Sequence, residues 1–116
     1  MNVIENKGQY IFENYDEPYV LKNAIALLKE SAAACATNKC RKLLLNFVNM
    51  PGKVKTLDRF ELGIQGAIIF RRLEKIAAVY RKEEMNLFLE NVAVNRGLNI
   101  RIFSDMDTAL KWLEVK

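Results

Sequence analysis

Apolar residues are arranged along this chain in two textures: short runs rich in β-branched and aromatic residues, and longer stretches in which they recur every three or four positions. Runs of the first kind alternating with stretches of the second build a sheet with crossover helices. The order opens with Val3 to Glu5 and Gln9 to Asn14, two strand-like runs around Asn6-Lys7-Gly8. Glycine there can take the positive φ of a tight turn, so an antiparallel edge hairpin is predicted. From Pro18 onward, Leu21, Ala24, Ile25, Leu28, Ala32 and Cys35 share one helical stripe, which makes Cys35 a small buried side chain. The run from Leu43 to Val48 shows no alternation, as a central strand covered on both faces should, and Pro51-Gly52 ends it.

A second helix follows, with Asp58 and Glu61 spaced as a capping box, Thr56 as an alternative cap, and Phe60, Ile64, Ala67 and Ile68 as its apolar stripe. Ile76 to Tyr80 is another unpatterned apolar run, expected beside Leu43 to Val48 as a second central parallel strand. Met85, Phe88, Leu89 and Val92 mark a third helix that stops at Gly97, a C-cap. Ile100 to Phe103 reads as a half-exposed strand, and Ser104 begins a last helix with Met106, Ala109, Leu110 and Leu113 inward. Joined by crossovers, these elements give a single α/β domain over residues 1–116, with a mixed, mostly parallel sheet, an N-terminal antiparallel hairpin and about four helices.

Composition narrows the function. With 116 residues and 51% hydrophobic content the chain can build one core. Eighteen basic against 14 acidic residues leave a net charge of +4, and the two signs are interspersed along most of the sequence, so no specific nucleic-acid partner is demanded. No apolar stretch approaches the roughly 20 residues of a transmembrane span, and Met1 to Asn6 does not read as a secretion signal; a cytoplasmic location is expected. Cys35 and Cys40 lie too close in sequence to staple the fold, which fits reduced thiols. With no histidine and no second cysteine pair, neither a metal nor any other cofactor is expected.

The missing histidine also removes the commonest partner of a serine or cysteine nucleophile, so no enzyme is expected. Glu83-Glu84 and Asp105-Asp107 sit at helix starts, where acids favour the macrodipole. Gly63 and Gly66 fall inside the second helix and read as close packing, not a phosphate loop. Tyr10, Phe12, Tyr15 and Tyr19 form an aromatic group that strands favour, without the arginine-rich strand of a base-stacking platform. Cys40, followed by Arg41-Lys42, is an ordinary loop cysteine or a redox-sensitive thiol activated by those cations. The strongest site candidate is the crevice beyond the carboxyl ends of the parallel strands, where loops 49–56, 81–84 and 104–105 should meet. Lys53, Lys55, Arg59, Arg81 and Lys82 put cations in or beside the first two loops, suited to phosphate or carboxylate groups or simply to a solvated rim.

In order and spacing, Asp58-Arg59-Phe60-Glu61-Leu62-Gly63, Lys75 to Val79, Phe88 to Gly97, Arg101-Ile102-Phe103 and Ala109 to Leu113 resemble the SpoIIAA-like family, related in fold to the STAS domains of anti-sigma-factor antagonists. The resemblance runs from about Gly8 to Leu113. It implies a mixed sheet flanked by helices, a bacterial cytoplasmic setting and a role in regulation or ligand binding. Antagonists of that type carry an Asp-Ser followed by a small residue and glycine, phosphorylated on the serine; here the matching stretch reads Lys53-Val54-Lys55-Thr56-Leu57-Asp58, and Thr56 stands nearest the modified position.

Two functions remain open. One is a non-enzymatic regulatory module engaging a protein partner around the second helix, with Thr56 as a phosphorylation candidate. The other is a binder of a small anionic metabolite or lipid headgroup at the strand ends, held by Lys53, Lys55, Thr56, Arg59, Arg81 and Lys82. The first predicts exposed apolar residues beside Thr56 and Leu57; the second predicts a concave basic pocket enclosed by all three loops. Either is compatible with a homo-oligomer.

Overall fold

In the computed structural model, which describes residues 2–82 and 88–115 with the side chains of 88–90 excepted, the chain begins as a hairpin. β1 (Val3–Asn6) pairs antiparallel with β2 (Ile11–Asn14). Gly8 turns the chain at φ +88°, and its N–H donates to Asn6 Oδ1 at 2.8 Å. The next elements are α1 (Leu21–Thr37), β3 (Lys42–Asn46), α2 (Thr56–Ile69), β4 (Lys75–Val79), α3 (Phe88–Val94), β5 (Ile100–Phe103) and α4 (Met106–Leu113). The strands lie in sequence order across one sheet, and every pair after the hairpin is parallel. β3 and β4 are therefore adjacent and central, with Leu43 opposite Ile76 and Leu45 opposite Ala78, as their unpatterned apolar runs predict.

Alternation along each strand divides the core in two. Ile11, Leu43, Leu45, Ile76 and Ala78 pack with Leu27, Leu28 and Cys35 of α1 and with Phe70 and Ala93. Leu44, Ala77 and Val79 point the other way, where Ala109 and Leu113 of α4 cover them together with Tyr10. The four N-terminal aromatics are consequently split: Tyr10 and Phe12 join the α4 side, Tyr15 and Tyr19 the other, and no common stacking surface exists.

Several local expectations are corrected. α1 buries Leu27 and Ser31 along with Ala24, Leu28 and Cys35, leaving Ile25 and Ala32 half-buried. The innermost line of α2 is Arg59, Gly63 and Gly66, while Phe60, Ile64 and Ala67 are half-buried and Ile68 is 59% exposed. Glycine contributes little hydrophobic signal, so a stripe drawn through the large apolar residues is rotated toward the helix flank. At Gly66 an added Cβ would meet, among the described residues, only Leu98 Cδ2, at 4.0 Å, an ordinary contact, so close packing against them does not require glycine there. Neither Thr56 nor Asp58 caps α2; its N-cap is Lys55 without a side-chain bond, Thr56 is the first helical residue, and the Asp58 carboxylate instead accepts from the Tyr19 hydroxyl. α4 starts at Met106 rather than Ser104, because the Asp105 carboxylate accepts from the Thr108 N–H at 2.8 Å and so caps the helix. Gly97, at φ +90°, ends the turn after α3. Met85 and the Glu83-Glu84 pair lie outside the described residues. Among the described residues, no helix is long and apolar enough to cross a membrane.

Candidate functional site

The connections that leave the carboxyl ends of the parallel strands are tied to one another by named bonds. After β3, Phe47 N–H donates to Val79 O at 2.8 Å and Met50 N–H returns to Phe47 O at 3.1 Å. Gly52, at φ +93°, then turns the chain toward α2. Tyr19, between β2 and α1, fastens this loop twice: its N–H donates to Pro51 O at 3.1 Å and its hydroxyl to Asp58 Oδ2 at 2.8 Å. Burial and the carboxylate neighbour both raise the Tyr19 phenol above its ordinary range, keeping it a donor. After β4, Arg81 reaches back across the loop, its guanidinium donating to Met50 O and, at 2.8 Å, to Gly52 O. Arg59 is buried, with Nε donating to Val54 O at 2.9 Å.

These bonds decide what the predicted cations do. Arg59 and Arg81 direct donors at loop carbonyls, whereas Lys53, Lys55, Thr56 and Lys82 are exposed. Six residues nominated by position thus separate into two that hold the loop and four that are exposed.

Beneath the loop lies a cavity of about 100 Å³, lined by residues such as Leu45, Met50, Leu62, Phe70, Tyr80 and Leu98. Its lining is apolar apart from a few groups at the loop side, and Arg59 is the one candidate cation on its wall among the described residues. Ser104 and Asp105 are not part of that lining, so the concave space is neither basic nor enclosed by all three loops. On the outside, Leu57 in the first turn of α2 is 83% exposed.

A second polar feature was not anticipated. Glu13, in the middle of β2, is 1% exposed and faces α1, where Ser31 is also fully buried. The Ser31 hydroxyl lies in hydrogen-bond contact with Glu13 Oε1 and with Leu27 O, while Glu13 Oε2 has no partner among the described residues. A hydroxyl has one proton to give. If Ser31 donates to Leu27 O, the bond to Glu13 is made best by a protonated carboxyl donating to Ser31 Oγ. Burial pushes the Glu13 carboxyl up to about 7, and the charge of Glu30 acts in the same direction. The signal was present in the strand alternation, since Ile11, Glu13 and Tyr15 occupy one face and both flanking residues are apolar.

The remaining reactive groups are placed structurally. Burial pushes the Cys35 thiol up to about 12. Cys40 is half-buried, its Sγ 3.6 Å from Lys42 O. Asp105 is held below the usual carboxylate range by its bonds to Thr108, the N-cap arrangement already described. Among the described residues, no group of three or more His, Cys, Asp or Glu is arranged to hold a metal ion.

No protein-family model matches the chain, and no curated protein matches it in sequence. Solved structures match it in fold. An anti-sigma factor antagonist from Mycobacterium paratuberculosis superposes with a TM-score of 0.66 at 10% identity, over 98% of this chain and 93% of that one. An uncharacterized protein with a SpoIIAA-like fold from Shewanella loihica PV-4 superposes with a TM-score of 0.55 at 16% identity, over 97% and 92% of the two chains. The chain has a SpoIIAA-like fold.

Proposed function

We propose that the chain is a non-enzymatic regulatory module that engages a protein partner through the first turn of α2 and the loop before it. The observation that carries this reading is Leu57, 83% exposed on a helix start held from behind by Tyr19, Arg59 and Arg81. A lone exposed leucine is ordinary on a protein surface. This one is presented on a fixed backbone, and exposed Lys53, Lys55 and Thr56 share the same short stretch. An apolar anchor beside polar and charged neighbours is how interface patches are built. The fold serves one neighbour as an anti-sigma factor antagonist, a role directed at other proteins, and the reading transfers that kind of role to this chain. Thr56 is the residue we assign to any phosphate control of the contact: a phosphate there would stand at the α2 N-terminus beside two lysines in sequence. A cytoplasmic setting goes with this role.

The test is affinity capture from cells of the source organism with wild type, Leu57→Asp and, as a control on another exposed apolar position, Val94→Asp, followed by titration of the purified captured protein. Leu57→Asp should weaken binding by about 2 kcal/mol or more, the loss of an interface anchor, with Val94→Asp unchanged. Equal binding by Leu57→Asp and wild type would remove the reading.

The cavity supports a second reading, in which a small amphiphile places an apolar group in the 100 Å³ space and an anionic headgroup at Lys53, Lys55 and Lys82. Saturable amide shifts on both loop and cavity residues, weakened in a Lys53→Ala, Lys55→Ala double variant but not in Leu57→Asp, would favour it over the protein contact.

A further inference from the structure

The opposite end of the sheet carries a second recess. An open groove of about 970 Å³ runs between the connection from α1 to β3 and the connection from α2 to β4. Lys39, Arg41, Arg71 and Arg72 line it, and no acidic side chain does among the described residues. All four are exposed, and none forms an ion pair with a described residue; Arg41 Nε donates to the Arg72 carbonyl at 3.2 Å, bracing the two connections together. The floor and rim are apolar: Ala32 from α1, Ile69 and Leu73 half-buried, and Ile68 at 59% exposure.

The plain account of these cations is that they complement helix ends. α1 and α2 both terminate here, and neither has a basic residue in its last turn. Two helix C-termini together present about one negative charge, so about three positive charges are left over. The four cations are gathered around one groove against their mutual repulsion.

We propose that this groove docks an acidic segment of a protein partner that inserts an apolar side chain between the arginines. Its size, about 970 Å³ against about 100 Å³ for the cavity at the other end, suits several residues of chain and not a single small anion. The apolar floor argues against nucleic acid. A phosphate backbone would use the cations and leave Ile68, Ile69 and Leu73 unsatisfied, and among the described residues no aromatic side chain lines the recess for a base to stack on. The groove lies at the amino ends of β3 and β4, away from Leu57, so this proposal stands independently of the one above.

The experiment is fluorescence anisotropy on the full chain with a labelled Glu-rich peptide carrying a central leucine pair, beside the same peptide with both leucines replaced by serine, a single-stranded oligonucleotide and vesicles containing phosphatidylserine. The Glu-Leu peptide should bind saturably, weaken about tenfold or more in Arg71→Glu, Arg72→Glu, and weaken as salt rises from about 50 to about 300 mM. Replacing the leucines should also weaken it, while Lys53→Glu, Lys55→Glu at the other end should leave it unchanged. The neutral Arg71→Gln, Arg72→Gln variant, checked for an unchanged melting temperature, should show a smaller loss and separates lost binding from lost fold. Peptide binding that is insensitive to both arginine pairs, or binding of the oligonucleotide or vesicles without the peptide, would overturn the proposal.

Discussion

Replacing Glu13 with glutamine tests the buried carboxyl directly. In the folded chain this group ionises near 7, whereas an unfolded glutamate ionises at its model value of 4.5. An acid whose folded value is raised gives stability that is fully present below the unfolded value and is lost as pH climbs to the folded one. At about 1.4 kcal/mol for each tenfold difference in ionisation, the whole effect is about 3 kcal/mol, and about 2.5 kcal/mol of it falls between about pH 5 and about pH 8. Glu13→Gln keeps the shape and a donor toward Ser31 but cannot ionise. The neighbouring groups that face the carboxyl are Ser31, through its hydrogen bond, and Glu30, through its charge, with the buried Cys35 thiol on the same side of α1. Melting curves at closely spaced pH values should show wild type falling by about 10 °C relative to Glu13→Gln between the two ends, at about 4 °C per kcal/mol for a domain of this size. Parallel pH profiles for the two proteins would refute the reasoning.

Gly66→Ala should raise stability by about 0.5–1 kcal/mol in denaturant titration, because among the described residues the new methyl meets only Leu98, at 4.0 Å, and glycine is costly inside a helix. Gly97→Ala should lower it by about 1–2 kcal/mol by the same measurement, since φ +90° is unfavourable for any side chain. Tyr19→Phe should cost about 1 kcal/mol through the lost bond to Asp58 and speed amide exchange in residues 50–58. Alkylation under native conditions at mildly alkaline pH should modify Cys40 before Cys35, whose buried thiol ionises only near 12; equal labelling would show that α1 opens readily.

The sheet was legible because burial on both faces leaves a direct trace in composition. Leu43, Leu44 and Leu45 carry no alternation since two cores compete for them, and the same holds for Ile76 to Val79. The hairpin was legible through Gly8 and the final strand through Ile100 to Phe103. Helix faces were read less well. On α2 the buried line is Arg59, Gly63 and Gly66, residue types that a hydrophobic stripe passes over, so the larger apolar residues beside them drew the inferred face sideways. The cap of α2 failed for a different reason. Asp58 has the right spacing to Glu61, but its carboxylate is claimed by Tyr19, a partner 39 residues away that no local motif contains.

The cations of the two ends illustrate what position in the sequence can and cannot say. Lys53, Lys55, Arg59, Arg81 and Lys82 were grouped by the rule that loops converge beyond the carboxyl ends of parallel strands, and the bond from Arg81 to Gly52 shows two of those loops in contact. The rule is silent on where a guanidinium points, which is why Arg59 and Arg81 turn out to brace carbonyls. The groove at the other end was missed although it follows from the same pairing. Once β3 and β4 are adjacent and parallel, with Lys42 opposite Lys75, the residues just before each strand must also be neighbours. That forces Arg41 against the stretch from Arg71 to Glu74, and the Arg41 carbonyl indeed accepts from the Glu74 N–H at 2.7 Å. A parallel pair brings its incoming connections together as strictly as its outgoing ones, so charges 31 residues apart in the chain, on Arg41 and Arg72, are assigned to one surface by strand order alone.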